Sequence, residues 1–262
     1  MECMILKIHA VQLDSVWEDK AANFAKLRGL LQACPPEAGS LLVLPEMFAT
    51  GFSCDLDKTM EAHSGETEIF LTELAAEHGC AVLGGLVTKG AEGKGLNQSL
   101  VLSPDGHELA RYTKIQPFSL GGESAVHEMG SDPVVFTWQS LKIAPLICYD
   151  LRFPELARQA VGLGAEVLVY IAAWPVKRYH HWLTLLQARA IENQAYVLGV
   201  NRTGTDPHFS YNGRSVLVNP HGIIVADAGE REQVLKAEMD PAVVRDWRAE
   251  FPALRDAGLI TA

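Results

Sequence analysis

Apolar positions along the chain follow two alternating patterns. Short runs that are continuously apolar, or that alternate with polar residues, favour β-strands, whereas longer segments with apolar residues three or four positions apart favour α-helices. The strand-like runs are residues 5–13, 41–44, 81–87, 98–102, 108–112, 134–138, 141–148, 166–173, 195–201, 214–218, 223–226 and 233–237. The helix-like segments are residues 20–34, 64–78, 154–163 and 180–193, and a polar tail follows residue 237. This alternation predicts an α/β fold.

Turn signals between some of the strand-like runs predict hairpins, and therefore mixed sheets. The sequences Ser103-Pro-Asp-Gly106 and Asn219-Pro-His-Gly222 each separate two such runs, and their prolines and glycines are typical of tight turns. Ser64 and Thr67 are candidate caps for the second helix. No repeat and no linker of distinct composition interrupts the pattern, so we expect one domain over residues 1–262.

Composition and charge narrow the class of protein. Of the 262 residues, 48% are apolar and 21% are charged, which excludes a disordered chain. The net charge is −10, from 22 basic and 32 acidic residues, which argues against a nucleic-acid or membrane-surface partner. The first residues lack a signal-peptide pattern, and no apolar run approaches the ~20 residues of a membrane-spanning helix. We therefore expect a cytoplasmic protein.

The five cysteines point to one candidate nucleophile. They lie at positions 3, 34, 54, 80 and 148 without a Cys-x-x-Cys pair, which is typical of free thiols in a reducing compartment. Cys148 ends an apolar strand and precedes a polar turn and a helix, whose positive end favours a thiolate. It is either a buried thiol that ends a strand or a nucleophile. The other four are expected to be packing or surface thiols.

Two other polar residues directly follow predicted strands and are candidate partners of a nucleophile. Glu46 follows the strand over residues 41–44 and could take a proton from a thiol. Lys114 follows the strand over residues 108–112 and could neutralise a developing oxyanion. For both, a solvated surface charge is the alternative. None of the nine histidines lies in a local pattern typical of a cysteine-protease base, and no clustered Cys and His spacing predicts a metal site.

The conjunction of these residues resembles the nitrilase (carbon–nitrogen hydrolase) superfamily. The motifs in the family's order and spacing are Leu44-Pro-Glu46, Tyr112-x-Lys114 and Ile147-Cys-Tyr-Asp-x-Arg-Phe-Pro-Glu155. Residues 181–182, 188–194 and 213–222 extend the resemblance over nearly the whole chain. Within the family, residues 46–52 and 173–178 are most similar to short bacterial ω-amidases of the YafV type.

The resemblance implies a fold and a mechanism. The fold is an α-β-β-α sandwich of two mixed sheets, and the catalytic triad is Glu46, Lys114 and Cys148. In the family's scheme the glutamate deprotonates the cysteine, which attacks the amide carbonyl. The lysine and the backbone N–H of Tyr149 stabilise the oxyanion, and a thioester forms before water releases the acid.

The resemblance also implies a fourth site residue and an assembly. Family members carry a second glutamate between the lysine and the cysteine, which Glu123 matches, with Glu128 as the alternative. No metal or organic cofactor is implied, and two copies are expected to pair as a homodimer. The segment Gln116-Pro117 departs from the family's usual Lys-x-His-Leu-Phe pattern and is expected to alter the pocket mouth.

An ω-amidase cleaves the terminal amide of a small dicarboxylic acid monoamide, such as 2-oxoglutaramate or 2-oxosuccinamate. Its site must therefore hold a free carboxylate, for which Arg178 is the candidate, because a guanidinium can bind a carboxylate through two hydrogen bonds. Phe48, Phe52 and Trp174 are the candidate pocket walls. The alternatives are a nitrile or N-carbamoyl amine hydrolase of the same family and a non-catalytic small-molecule binding protein.

Overall fold

The computed structural model describes residues 4–259, so Cys3 lies outside the described residues. Its strands are β1 (Leu6–Gln12), β2 (Leu41–Val43), β3 (Met60–Glu61), β4 (Ala81–Lys89), β5 (Gly95–Leu102), β6 (Glu108–Thr113), β7 (Phe136–Trp138), β8 (Leu141–Ile147), β9 (Val167–Ala172), β10 (Tyr196–Asn201), β11 (Thr203–Thr205), β12 (Ser210–Asn212), β13 (Val216–Val218), β14 (Ile224–Asp227) and β15 (Gln233–Met239). Its helices are α1 (Lys20–Ala33), α2 (Leu56–Thr59), α3 (Glu66–His78), α4 (Glu123–Val126), α5 (Pro154–Gly162), α6 (Tyr179–Asn193), α7 (Pro241–Glu250) and α8 (Ala253–Asp256).

Two mixed sheets form the centre of the described part of the chain. The first has the strand order β15-β1-β2-β4-β5-β6, with β3 beside β4. The second has the order β14-β13-β10-β9-β8-β7. In the first sheet β1, β2 and β4 are parallel, and in the second β8, β9 and β10 are parallel. Strands β11 and β12 form a separate antiparallel pair.

The sheets pack face to face, and helices cover their outer faces. Alternation along β2 shows this arrangement, because Val43 packs in the apolar cluster shared with the second sheet, whereas Leu42 packs in the cluster with α1 and α3. On the other side, the buried faces of α5 and α6 pack in the cluster of the second sheet, for example through Ala157 and Leu186. The layers are therefore helix, sheet, sheet, helix.

The predicted α/β sandwich of two mixed sheets is confirmed, and most strands and helices end within two residues of their predicted limits. The predicted caps of the second helix are wrong: α3 begins after Gly65, and the hydroxyl of Thr67 donates to Glu61. The polar segment after residue 237, for which no helix was predicted, contains α7 and α8. Asp240 caps α7 by accepting from Ala242 N, and the buried Pro241 and Val244 anchor the helix. No helix within residues 4–259 is long and apolar enough to cross a membrane.

Candidate active site

The predicted catalytic residues follow strands whose carboxyl ends meet at one side of the sandwich. Glu46 comes shortly after β2, Lys114 directly after β6 and Cys148 directly after β8. In open α/β sheets, ligands bind outside the carboxyl ends of parallel strands, where loops carry side chains out of the packed core. The topology therefore brings residues that are far apart in sequence to one place.

Cys148 begins a 3₁₀ turn, Cys148–Arg152, at the end of β8. Its φ is +46°, in the left-handed region that non-glycine residues rarely adopt, so the turn carries local strain. Asp150 holds the turn closed by accepting a 3.0 Å hydrogen bond from the backbone nitrogen of Ile147. Because the first N–H groups of a helical turn lack intrahelical partners, the N–H of Tyr149 is a natural donor for an oxyanion.

Glu46 lies in a tight turn that a glycine makes possible. A Cβ at Gly85 of β4 would lie 2.8 Å from the Glu46 Cα and 2.6 Å from the Met47 nitrogen, so a larger residue there would displace the turn. Met47 itself has a φ of +46°. The Glu46 Oε2 accepts a 2.9 Å hydrogen bond from the backbone nitrogen of Ala173, which follows β9. One carboxylate is thus held between the two sheets.

A buried network joins Lys114 to two carboxylates. The Lys114 Nζ lies 2.8 Å from Oε1 of Glu46 and 2.8 Å from Oε2 of Glu123, and all three side chains are almost fully buried. The Nδ2 of Asn97 donates to the same two glutamates, at 2.9 and 2.7 Å. The backbone nitrogen of Phe118 donates to Glu123 at 2.6 Å. Such charges are stable out of water only because they are paired and hydrogen-bonded.

The network also determines the charge states of the site. Burial raises the pKa of the Cys148 thiol well above its usual range, and the adjacent Glu46 adds to the rise. Burial opposes the charge on Lys114, but Glu123 and Glu46 together raise its pKa well above 10.5. Burial opposes ionisation of Glu123, yet Lys114 holds its pKa below the ordinary value. The resting site therefore has a neutral thiol beside an ion pair that stays charged at neutral pH.

Cys148 lines a small cleft that is open to solvent. Glu46, Lys114 and Glu123 lie behind it and do not line the cleft. The Phe52 ring lies 5.4 Å from the Lys114 Nζ and separates part of the network from the opening. The cleft is lined by aromatic and cationic side chains around Cys148, namely Phe52, Phe118, Tyr149, Arg152, Trp174, Arg178, Phe209 and Tyr211, together with Ala173 and Pro175.

Two arginines line the cleft and are held by aromatic rings. The Arg178 guanidinium lies 5.5 Å from the centre of the Phe118 ring, and that of Arg152 lies 4.7 Å from the Trp174 ring. Within residues 4–259, neither guanidinium forms an ion pair with a carboxylate. Burial, and then the charge of Arg178, lower the pKa of Arg152. The cleft is thus a cationic site without an internal counter-ion in the described chain.

Two predicted residues belong neither to the cleft lining nor to the Lys114 network. Phe48 is fully buried and packs against Phe24 and Phe70, with ring centres 6.2 and 6.3 Å apart. The turn at Met47 directs it toward α1 and α3, so the expectation that it walls the pocket is corrected. Glu128, the alternative to Glu123, does not hydrogen-bond to Lys114, and its Oε1 lies buried without a hydrogen-bond partner among the described residues.

Sequence reasoning missed several residues of the site. Asn97 bridges the two glutamates from β5, and it stands one residue before the strand predicted over residues 98–102, so the apolar pattern did not single it out. Asn201 exchanges hydrogen bonds with the backbone of Trp174, at 2.7 and 3.1 Å, and so holds the segment that also binds Glu46. Arg152 stands four residues after Cys148 in the same turn, so its proximity was readable from the sequence.

Comparison with known proteins agrees with the geometry. The family model described as carbon-nitrogen hydrolase matches residues 7–249. The chain is 35% identical to the omega-amidase YafV of Escherichia coli and 32% identical to the 2-oxoglutaramate amidase of Bacillus subtilis, over 96% and 95% of this chain and 96% of each relative. Among solved structures, a CN-hydrolase superfamily protein of Xanthomonas campestris has a TM-score of 0.89 at 33% identity, covering 97% of both chains.

The family model spans most of the chain, the identity to both relatives exceeds 30% over nearly the full length of each, and the fold agrees with that of the Xanthomonas protein. The predicted residues of the resemblance also lie where that fold brings strand ends together. The chain therefore belongs to the carbon–nitrogen hydrolase family and is an amidohydrolase of the nitrilase superfamily.

Proposed function

We propose that this enzyme hydrolyses the terminal amide of small carboxylate-bearing amides, of the 2-oxoglutaramate or 2-oxosuccinamate type, and releases ammonia. The observation that carries the proposal is the cationic cleft beside Cys148, where two guanidiniums have no carboxylate partner among the described residues. A substrate carboxylate supplies the missing counter-charge. The names of the relatives in Escherichia coli and Bacillus subtilis support the same substrate class.

In the acylation step that we propose, Glu46 takes the proton of the Cys148 thiol as the sulfur attacks the amide carbonyl carbon. The carbonyl oxygen becomes an oxyanion, which the Lys114 ammonium and the Tyr149 N–H stabilise. When the tetrahedral intermediate collapses, the carbon–nitrogen bond breaks and Glu46 returns the proton to the leaving nitrogen. Ammonia departs, and the acyl group remains on sulfur as a thioester.

In the deacylation step, Glu46 takes a proton from a water molecule that attacks the thioester carbonyl. The same two donors stabilise the second oxyanion. Collapse breaks the carbon–sulfur bond, and the thiolate recovers the proton from Glu46 as the acid product leaves. The high pKa of the Cys148 thiol fits this cycle, because the thiol keeps its proton until the glutamate removes it in the presence of substrate.

Glu123 supports this chemistry without receiving the substrate's proton. It pairs with Lys114 at 2.8 Å and shares the Asn97 amide with Glu46. Burial opposes the charge on Lys114, but Glu123 raises the pKa of this ammonium more than any other group does. Lys114 therefore remains protonated as an oxyanion donor while Glu46 exchanges its proton with the substrate.

In the substrate complex that we propose, Arg178 binds the carboxylate at the far end of the substrate, while Phe52 and Trp174 enclose its short carbon chain. The local cation matters because the whole chain has a net charge of −10, which repels anions at long range. Arg152 supports Arg178 as a second positive charge, held against the Trp174 ring.

A substrate panel tests the proposal. The purified enzyme is given 2-oxoglutaramate, 2-oxosuccinamate, butyramide, a nitrile and an N-carbamoyl amine, and kcat/KM is measured from released ammonia or acid. We expect the carboxylate-bearing amides to exceed butyramide by at least roughly 100-fold, because only they neutralise the arginines. Equal values for butyramide, or a preference for the nitrile or the carbamoyl amine, would exclude the proposed specificity.

We further propose a single catalytic domain, a homodimer and a cytoplasmic location. The match of one family model to residues 7–249 supports the single domain.

Exposed apolar side chains on α6 and on the neighbouring hairpin, Ile191 and Ile223, support a paired surface, since both are more than half exposed. Light scattering of the enzyme and of Ile191→Glu tests the dimer, which we expect the substitution to dissociate. Fractionation of the source cells tests the location.

A further inference from the structure

Asp150 is a fully buried carboxylate that the mechanism above does not use. It accepts three hydrogen bonds: from the backbone nitrogens of Ile147 at 3.0 Å and Gln116 at 2.9 Å, and from the hydroxyl of Tyr112 at 2.8 Å. Three hydrogen bonds from separate donors hold this buried carboxyl in place, because a buried donor that loses its acceptor costs free energy.

The three donors come from two segments that carry different parts of the site. Ile147 directly precedes Cys148 in the second sheet. Tyr112 lies in β6 of the first sheet, two residues before Lys114, and Gln116 lies in the loop that follows β6, two residues after Lys114. One side chain therefore connects the turn of the proposed nucleophile to both sides of the proposed oxyanion donor, although the two segments belong to different sheets.

The charge of Asp150 fits this role, because all three partners are donors. Burial raises the pKa of Asp150 to about 7, while the nearby Lys114 ammonium opposes the rise. Tyr112 and Tyr170, on the strands packed against it, are the other titratable groups that face it, and the pKa of each hydroxyl is raised. When Asp150 is protonated, its proton can point to the Tyr112 oxygen, so the three contacts survive in either state.

We propose that Asp150 is a positioning residue that sets the orientation of Cys148 relative to Lys114. The proposal rests on the roles given above to those two residues. Orientation matters because the oxyanion forms only after sulfur attack, at a point that the Lys114 ammonium must already face. A shift of about 1 Å between nucleophile and oxyanion donor costs roughly 100-fold in rate.

Two substitutions test the proposal. Asp150→Asn replaces one carboxylate oxygen by an NH₂ group. If the remaining oxygen accepts from Ile147 and Tyr112, the NH₂ group faces the Gln116 N–H, and two donors then oppose each other. In Tyr112→Phe, both backbone contacts remain and one hydrogen bond to the carboxylate is lost. The matched control is Glu166→Gln. Glu166 is also a mostly buried carboxylate, accepts from Lys142 N at 3.1 Å, and lies at the opposite end of β9 from the site.

Three measurements separate positioning from simple destabilisation. The first is kcat and KM for 2-oxoglutaramate. The second is the rate at which iodoacetamide alkylates Cys148, followed by peptide mass, because alkylation requires the thiolate but forms no oxyanion. The third is the melting temperature. We expect Asp150→Asn to lower kcat by roughly 10- to 100-fold with KM and the alkylation rate within about threefold of the unsubstituted enzyme.

Tyr112→Phe should lower kcat by about fivefold, the equivalent of one hydrogen bond of about 1 kcal/mol, with KM unchanged. Glu166→Gln should lower the melting temperature and leave kcat unchanged. If Asp150→Asn does not fold, the kcat of Tyr112→Phe alone tests the proposal. Unchanged kcat in the folded Asp150 and Tyr112 variants overturns the proposal. An equal loss of kcat and of alkylation rate in Asp150→Asn also overturns the proposal. An equal loss of kcat in Glu166→Gln does so too. Activity that persists in Cys148→Ala instead overturns the proposed function.

Discussion

The Lys114 ammonium lies 2.8 Å from a carboxylate oxygen of Glu46, although the two residues are 68 positions apart in the chain. Neither side chain is more than 1% exposed. A buried ion pair of this kind contributes little net stability over an apolar pair, but removing one partner leaves an unpaired buried charge. The pair is therefore better explained by the chemistry of the cleft than by the stability of the fold.

Replacing Cys148 by alanine should abolish ammonia release from 2-oxoglutaramate and leave the melting temperature nearly unchanged, because the side chain loses only its sulfur. Mass spectrometry of the unsubstituted enzyme, quenched during turnover, should show an acyl adduct on the peptide that contains Cys148. The control is Cys54→Ala, since Cys54 is half-buried and does not line the cleft. Ammonia release by Cys148→Ala at a rate near that of the control would refute the role of the thiol.

Replacing Arg178 by alanine should lower kcat/KM for 2-oxoglutaramate by roughly 10- to 100-fold, the range for losing hydrogen bonds between charged groups. The same substitution should leave kcat/KM for butyramide within about twofold, because that substrate has no carboxylate. Lys177→Ala is the matched control, since Lys177 is the adjacent cation, is exposed and lies outside the cleft lining. An equal loss for both substrates would show that Arg178 does not bind the carboxylate.

Replacing Asn97 by alanine should remove the amide that Glu46 and Glu123 share. Two buried carboxylates then each lose a donor, which should cost about 1–3 kcal/mol of unfolding free energy and lower kcat by about tenfold as the two carboxylates shift. Gln98→Ala is the control, because Gln98 is also buried but points to the other side of β5, where it bonds to Thr88 and Thr113. Denaturant unfolding and steady-state kinetics of both variants provide the comparison, and equal kcat values would contradict a special role for Asn97.

The buried carboxyl of Asp150 predicts a specific dependence of stability on pH. Its pKa rises from 3.8 to about 7 on folding, so the folded state binds the proton more tightly than the unfolded state. The stability that this group contributes is therefore complete below about pH 4 and is lost as the pH rises through about 7. Relative to Asp150→Asn, the unsubstituted enzyme should lose about 4 kcal/mol of unfolding free energy between pH 4 and pH 8. A difference that stays constant or grows with pH would contradict the raised pKa.

Phe48 and Phe52 should respond differently to truncation. Phe48→Ala removes a ring from the cluster with Phe24 and Phe70, which should cost roughly 3–5 kcal/mol of unfolding free energy while leaving the KM of the folded enzyme unchanged. Phe52→Ala removes a cleft wall and should raise KM with a smaller loss of stability. A raised KM in Phe48→Ala would place that ring in the substrate site after all.

The pattern of apolar positions predicted most strands, the main helices and the hairpin at Gly106, because burial on one or both faces of a sheet is a local property of the sequence. It did not predict α7, in which Pro241 and Val244 are buried, or the Gly65 start of α3. Both helices begin at local signals that the apolar pattern leaves out: Asp240 caps α7 just before Pro241, and Gly65 precedes the acidic first turn of α3. A short helix with few buried residues can still form when a cap holds its first turn and tertiary packing covers those residues.

In the candidate site, too, some features follow from the local sequence and others only from how the sheets pack. The sequence by itself determined that a cysteine stands at a strand-to-helix turn. Resemblance to the family gave Glu46, Lys114 and Glu123 as its candidate partners. Only the tertiary structure decided that Asn97 bridges the two glutamates, that Arg152 joins Arg178 at the cleft, that Phe48 turns into the core and that Asp150 links the two sheets. The reason is physical: these relations are distances between segments far apart in the chain, and they follow from how the two sheets pack rather than from any local pattern.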